Sequence, residues 1–258
     1  MHNALRMPLG RLPVVGAGPA AYLLEPCWRT TPTRPRLAAV TKSTVGRAWH
    51  LLTLAVAVVA LVAQLALIAS GQNILDFTGV TASLPEQVRR YASYFTIQSN
   101  FLVAVSMFLI LRGRVDTQLF RVVRLTSLVG ITVTGVVAAV ALPPSPNYTT
   151  ANLVCDRLLH VVVPTLTLIG WIAFGPRGFA RREDLLPSLV WPVLWLVATL
   201  ALGPVVGWYP YPFLDAGSIG LGRVLVNAVA IAALFLALAA AARWADRRLD
   251  PNRDSMVS

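Results

Sequence analysis

The sequence predicts an all-α, polytopic membrane protein: a bundle of six transmembrane helices with both termini in the cytoplasm. Three observations lead there. The chain of 258 residues is 56% hydrophobic and only 13% charged, with a mean hydropathy of +0.66, too apolar for an ordinary soluble domain. Several of its apolar runs approach or exceed the roughly 20 residues needed to cross a bilayer. The basic residues gather in short clusters between those runs, as orientation signals do. The net charge of +11 therefore does not point to a nucleic-acid partner.

Residues 1–45 are rich in Arg and Pro and read as a disordered cytoplasmic tail. Gly16-Ala17-Gly18-Pro19-Ala20-Ala21 has the spacing of a dinucleotide-binding turn. Pro26, Pro32 and Pro35 follow it where a βαβ unit would need a helix, a strand and an acidic residue. No cofactor is expected. A signal peptide fits badly too, since Gly and Pro break the apolar stretch.

The transmembrane domain is expected over 46–243, with spans at about 48–69, 94–111, 122–142, 154–174, 188–209 and 219–243, and a cytoplasmic tail over 244–258. Pro143-Pro144 ends the third span and Gly175-Pro176 the fourth. Pro192 and Pro204 lie inside the fifth, where each removes one backbone bond and predicts a kink. The last span is rich in Ala and opens with Gly220 and Gly222, side chains small enough for close helix packing in lipid.

Orientation follows from charge. Arg6, Arg11, Arg29, Arg34, Arg36, Lys42 and Arg47 precede the first span; Arg112, Arg114, Arg121 and Arg124 join the second to the third. Arg177, Arg181 and Arg182 join the fourth to the fifth, and Arg243, Arg247, Arg248 and Arg253 close the chain. That puts 18 of 22 basic residues on one side and leaves Arg89, Arg90, Arg157 and Arg223 on the other. Six is the only nearby span count that keeps this asymmetry, and it places both termini on the cytoplasmic side of a cell membrane. The external connections 71–93, 143–153 and 208–218 carry Trp208, Tyr209 and Tyr211, which suit an interfacial aromatic belt. Asn147-Tyr148-Thr149 spells a glycosylation acceptor on the external side. Cys27 and Cys155 fall on opposite sides, so no disulfide joins them; Cys155 reads as a buried thiol rather than a nucleophile.

Polar residues inside apolar spans are costly and mark sites. Thr96 and Asn100 share a helix face, as do Asp156 and His160, and Arg223 and Asn227, each pair being four residues apart. All three pairs lie in the first two turns of spans entering from outside, within roughly 10 Å of the external boundary. A threonine hydroxyl is a poor nucleophile that needs a base within hydrogen-bond reach. His160 is the one histidine in the external halves of the spans, and Asp156 can orient its ring. Arg157, Arg223, Asn100 and Asn227 can donate to an oxyanion or grip a carboxylate. Pro164 leaves the carbonyl of His160 without an N–H partner and bends the helix there. The alternative reading makes Thr96, Ser99 and Asn100 interhelical glue and Asp156, Arg157 and Arg223 an ion-pair cluster at headgroup level. Asp156 and His160 supply at most two ligands, so no metal is expected.

The run Tyr94-Phe95-Thr96-Ile97-Gln98-Ser99-Asn100, with His160-Val161-Val162-Val163-Pro164, Trp171 and Tyr209-Pro210-Tyr211-Pro212-Phe213-Leu214-Asp215, resembles the bacterial branch of a family of small six-helix membrane proteins. That branch is related to the androgen-induced and androgen-dependent transmembrane proteins. The resemblance covers about 48–243. It implies intramembrane hydrolysis of fatty acid esters of hydroxy fatty acids, with Thr96 as nucleophile and His160 as base. Gln98-Ser99-Asn100 departs from the more apolar continuation of the animal members. The expected function is an intramembrane lipid-ester hydrolase of lipid metabolism acting near the outer leaflet. Its partners would be membrane lipids and an amphipathic ester substrate. The alternative is a lipid or small-anion binding or transport protein that uses the same polar pocket without catalysis.

Overall fold

A computed structural model describes residues 43–71, 82–142 and 149–249. All of them belong to one unit, Pro35–Ser258. The tail up to residue 42, with Gly16–Ala21 and Cys27, lies outside the described residues, as do 72–81, 143–148 and 250–258, and with them most of the glycosylation motif.

Helix α1 spans Thr44–Ala69, and the Ser43 hydroxyl accepts the Gly46 N–H at its start. Its buried stripe is Gly46, His50, Thr53, Ala57, Ala60, Gln64 and Ile68, a repeat of three and four residues that keeps one helix face inward. Leu51, Val59 and Val62 stand 57%, 57% and 61% exposed on the other face. Small and polar side chains inside with large apolar ones outside is the arrangement a lipid solvent selects.

Helix α2 (Leu84–Ser93) meets α3 (Phe95–Leu111) at Tyr94, whose extended backbone turns the chain by 68°. The predicted loop 71–93 thus contains a short amphipathic helix, tied to α1 by the Tyr91 hydroxyl donating to the Leu61 carbonyl. At 17 residues, α3 rises about 25 Å, short of a hydrocarbon core of about 30 Å. Helices α4 (Gln118–Ala141), α5 (Thr150–Phe174), α6 (Arg182–Val206) and α8 (Leu221–Arg248), together with α1, are long and apolar enough to cross a membrane. Five spans result, or six if the bent α2–α3 pair counts as one. The chain is an all-α integral membrane protein.

α3 and α4 form the centre, α3 packing on α1 and α4, and α4 on α5, α6 and α8. Three boundaries differ from the sequence reading. α6 begins at Arg182 and runs through Pro187, Pro192 and Pro204 as one helix, ending at Gly207 in the left-handed conformation. α8 continues to Arg248, past the expected end at 243. Its end is no loose tail, because the buried Asp246 carboxylate accepts the Ala180 N–H at 2.9 Å and the Trp171 indole N–H at 3.4 Å. Arg121 and Arg124, counted above as loop charges, are buried in the first turns of α4. Arg121 is bound to Asp184 at 2.8 Å, a carboxylate with no exposure.

α5 is not regular throughout. Leu158–Val162 forms a π-helical turn, closed by the Val163 N–H reaching back to the Leu158 carbonyl. Pro164 follows at once and has no N–H for His160. The wider turn carries His160. Between α6 and α8 the chain folds back through a 3-10 turn, Pro212–Leu214, and a short helix α7, Ala216–Ile219, capped by Asp215. That return segment brings Tyr211 inside the bundle.

Candidate active site

Thr96 sits in the first turn of α3, just past the Tyr94 break, and is 6% exposed. Its Oγ1 lies 3.1 Å from His160 Nε2. The other ring nitrogen, Nδ1, is 2.9 Å from Asp156 Oδ1 and 3.1 Å from the Asp156 carbonyl. A carboxylate accepts only, so Nδ1 carries the proton toward Asp156 and Nε2 is left to accept the Thr96 O–H. The resulting chain is hydroxyl, imidazole, carboxylate, in the order that nucleophilic catalysis needs.

A third group stands at the same oxygen. The Tyr211 hydroxyl is 3.2 Å from Thr96 Oγ1, and it accepts the Thr96 backbone N–H at 3.2 Å. Burial pushes this phenol above its ordinary range, so it stays neutral. Its ring stacks on Phe213 at 5.1 Å and meets Tyr94 and Trp195 edge-on at 5.6 and 6.0 Å. Sequence reasoning assigned Tyr211 to the interfacial belt. Its place between Pro210 and Pro212, each with a restricted backbone, hinted at a fixed position.

The remaining predicted residues fall into two sets. Asn100 has no exposure, and its amide donates to the Thr96 carbonyl at 2.8 Å and the Leu159 carbonyl at 3.2 Å. It therefore ties α3 to the π turn of α5 beside the Thr96–His160 contact, with its donors already engaged. Asn227 donates to the Phe213 carbonyl at 2.8 Å and so fixes the segment that carries Tyr211. Arg157 and Arg223 are exposed, and neither bonds to a described residue. Ser99 bonds across to Thr134 at 2.7 Å and to the Thr96 carbonyl at 3.1 Å. Cys155 is buried, its thiol aimed at the Ala60 carbonyl at 3.4 Å rather than at this site. Among the described residues no group of three or more His, Cys, Asp or Glu could hold a metal.

A cavity of about 180 Å³ has Thr96 in its wall. Val133, Leu189, Trp195, Ala228 and Phe235 are among its walls, and Thr96, Thr134 and Tyr211 are its polar lining residues. His160 is not in its wall. Comparison with family models, curated proteins and solved structures yields no match.

Proposed function

We propose that this integral membrane protein is a lipid-ester hydrolase of the cell membrane, working near the outer leaflet with Thr96 as nucleophile and His160 as base. The observation that carries this reading is the 3.1 Å contact from Thr96 Oγ1 to His160 Nε2, backed at 2.9 Å by Asp156. A solitary polar pair could be interhelical glue, but a hydroxyl, an imidazole and a carboxylate in series beside an apolar cavity match an acyl-transfer site. The resemblance of the Thr96 and His160 segments to the androgen-induced and androgen-dependent branch points the same way.

In this reading the Thr96 O–H proton passes to His160 Nε2 as Oγ1 bonds to the ester carbonyl carbon. The tetrahedral intermediate collapses, the carbon–oxygen bond to the alcohol breaks, and His160 Nε2 returns its proton to the departing alkoxide. Water then adds to the acyl-threonine, giving one proton to His160, and Thr96 leaves with that proton. Base catalysis of this kind contributes about 10²- to 10⁴-fold. The Asp156 and His160 side chains are 24% and 15% exposed, which gives water a route to the base.

The cavity supports an assignment of the two halves of the substrate. The alcohol must leave beside His160 to collect its proton, so the acyl chain is assigned to the cavity, which Thr96 lines and His160 does not. Its 180 Å³ compares with a cavity of about 150 Å³ that takes benzene, so it holds about six to eight carbons. Lipid tails are already apolar, so the cavity contributes orientation more than affinity.

The test is labelling by an alkyl fluorophosphonate in detergent micelles. Wild type is expected to react, and Thr96→Ala and His160→Ala to stay unlabelled. Equal labelling of Thr96→Ala would remove the nucleophile and leave a lipid-binding or transport role for the same cavity. An anion-carrying version of that role gains no support from Arg157 and Arg223, which stand exposed and outside the cavity wall.

A further inference from the structure

We infer that Tyr211 is a third catalytic residue, its phenol donating a hydrogen bond to the oxyanion that forms when Thr96 attacks an ester carbonyl. This rests on the hydrolase reading above and adds to it the group that stabilises the transition-state charge.

An ester hydrolase needs a donor about 3 Å from both the nucleophile and the oxygen on which charge develops. The other polar side chains on these segments are each engaged elsewhere by at least one bond. The Asn100 amide is held by the Thr96 and Leu159 carbonyls, and the Asn227 amide donates to Phe213. Gln98 donates to the Ala92 carbonyl at 2.9 Å, and Ser99 faces Thr134 and the Thr96 carbonyl. The Tyr211 hydroxyl differs. One lone pair accepts the Thr96 N–H, which fixes the oxygen in place, and with the Thr96 O–H given to His160 the phenol proton is the one left for Oγ1.

The position is also on the correct side. Tyr211 and Thr96 line the cavity that would take the acyl chain, whereas His160 stands outside its wall. A carbonyl carbon bonded to Oγ1, with its chain in the cavity, puts its oxygen within reach of the phenol and its alcohol toward His160. At rest the phenol bonds to Oγ1; as charge moves from Oγ1 to the carbonyl oxygen, the donor follows by a small rotation about its C–O bond. No proton is transferred to or from Tyr211.

The ring is held for this work. Tyr94, Trp195 and Phe213 enclose it, and Asn227 pins the Phe213 backbone two residues on. Donors that need no reorganisation during the reaction are the effective ones. The raised phenol supports the same role, since a neutral phenol is the donor at every pH at which an ester is assayed.

The experiment compares wild type, Tyr211→Phe and Thr96→Ala with p-nitrophenyl octanoate in micelles. A trifluoromethyl ketone of the same chain serves as transition-state analogue, and the corresponding unreactive ether as ground-state analogue. Tyr211→Phe keeps the ring and its packing. It is expected to lose about 100- to 1,000-fold in kcat, to weaken the ketone by a similar factor, and to leave KM and ether binding within about twofold of wild type. Unchanged kcat and ketone affinity in Tyr211→Phe, with Thr96→Ala inactive, overturns the inference and leaves the hydrolase standing. Parallel loss of ether and ketone binding also overturns it, by showing a structural role. Full activity in Thr96→Ala removes Thr96 as the nucleophile, and with it the proposed site.

Discussion

Gly135 of α4 lies directly against the carbonyl of His160: a β-carbon built on it would stand 3.3 Å from that oxygen and 3.5 Å from Pro164 Cβ. The carbonyl is the one that Pro164 leaves without its helical N–H, so α4 approaches α5 where the helix has been loosened. Gly135→Ala moves α5 by a few tenths of an ångström, whereas Gly135→Val must push the π turn away. The distance at stake is the 3.1 Å between Thr96 and His160, and misplacement by about 1 Å can cost 100-fold in rate. Fluorophosphonate labelling should therefore slow modestly in Gly135→Ala and by about 100-fold in Gly135→Val, with both variants folded by size-exclusion chromatography.

The cavity predicts selectivity for the acyl half. Ala228 is 7% exposed on α8 and lines the space. Ala228→Leu adds three carbons there, so the preferred chain should shorten by about three, from about eight carbons toward five. A series of p-nitrophenyl esters from butanoate to dodecanoate measures the shift. An unchanged profile would place the acyl chain elsewhere. Variation of the alcohol half should matter less, because that half leaves on the His160 side, outside the cavity wall.

Some of this was legible in the residues alone. Spacing of four put Thr96 with Asn100 and Asp156 with His160 on shared faces, and the apolar runs located the long helices. What spacing cannot read is the partner of a donor. Asn100 and Asn227 were grouped with the arginines as candidate oxyanion donors, and the fold spends both amides on carbonyls. Arg121 and Arg124 counted as loop charges because their partners are distant in sequence: Asp184 is 63 residues from Arg121, and Gly175 is 51 from Arg124. The α2 helix was missed since ten residues with Glu86, Arg89 and Arg90 look like a solvated connection. Tyr211 looked like a membrane-interface aromatic, and its burial is decided by the folding back of the segment after Gly207.

Asp184 provides a stability test independent of catalysis. Its carboxylate is fully buried and receives Arg121 Nε at 2.8 Å, joining α4 to α6. Removing Asp184 leaves the buried Arg121 with only the exposed Glu183, bonded at 3.0 Å, and breaking a buried pair costs up to about 3 to 5 kcal/mol. Asp184→Ala should lower the thermal midpoint in micelles strongly, while Arg121→Met with Asp184→Leu should regain most of it. If the double variant is as unstable as the single one, packing rather than the lost ion pair governs this contact.

The phenol of Tyr211 gives a pH dependence whose sign is fixed. Its folded-state value lies above the ordinary 10.0 because burial disfavours the phenolate. The folded state thus holds its proton more tightly than the unfolded chain. The associated stability is full below pH 10, falls as pH rises past that value, and is lost once the folded-state value is passed. Thermal midpoints at pH 8 and pH 11 should differ less in Tyr211→Phe than in wild type, because the variant has no proton to lose there. The same comparison separates stability from chemistry. At pH 8 the phenol is neutral in both states, so stability there does not vary with its titration. The loss of turnover expected of Tyr211→Phe at pH 8 then reflects the missing donor at Thr96, and a variant that melts lower at pH 8 in proportion to its lost activity would argue for a structural hydroxyl instead.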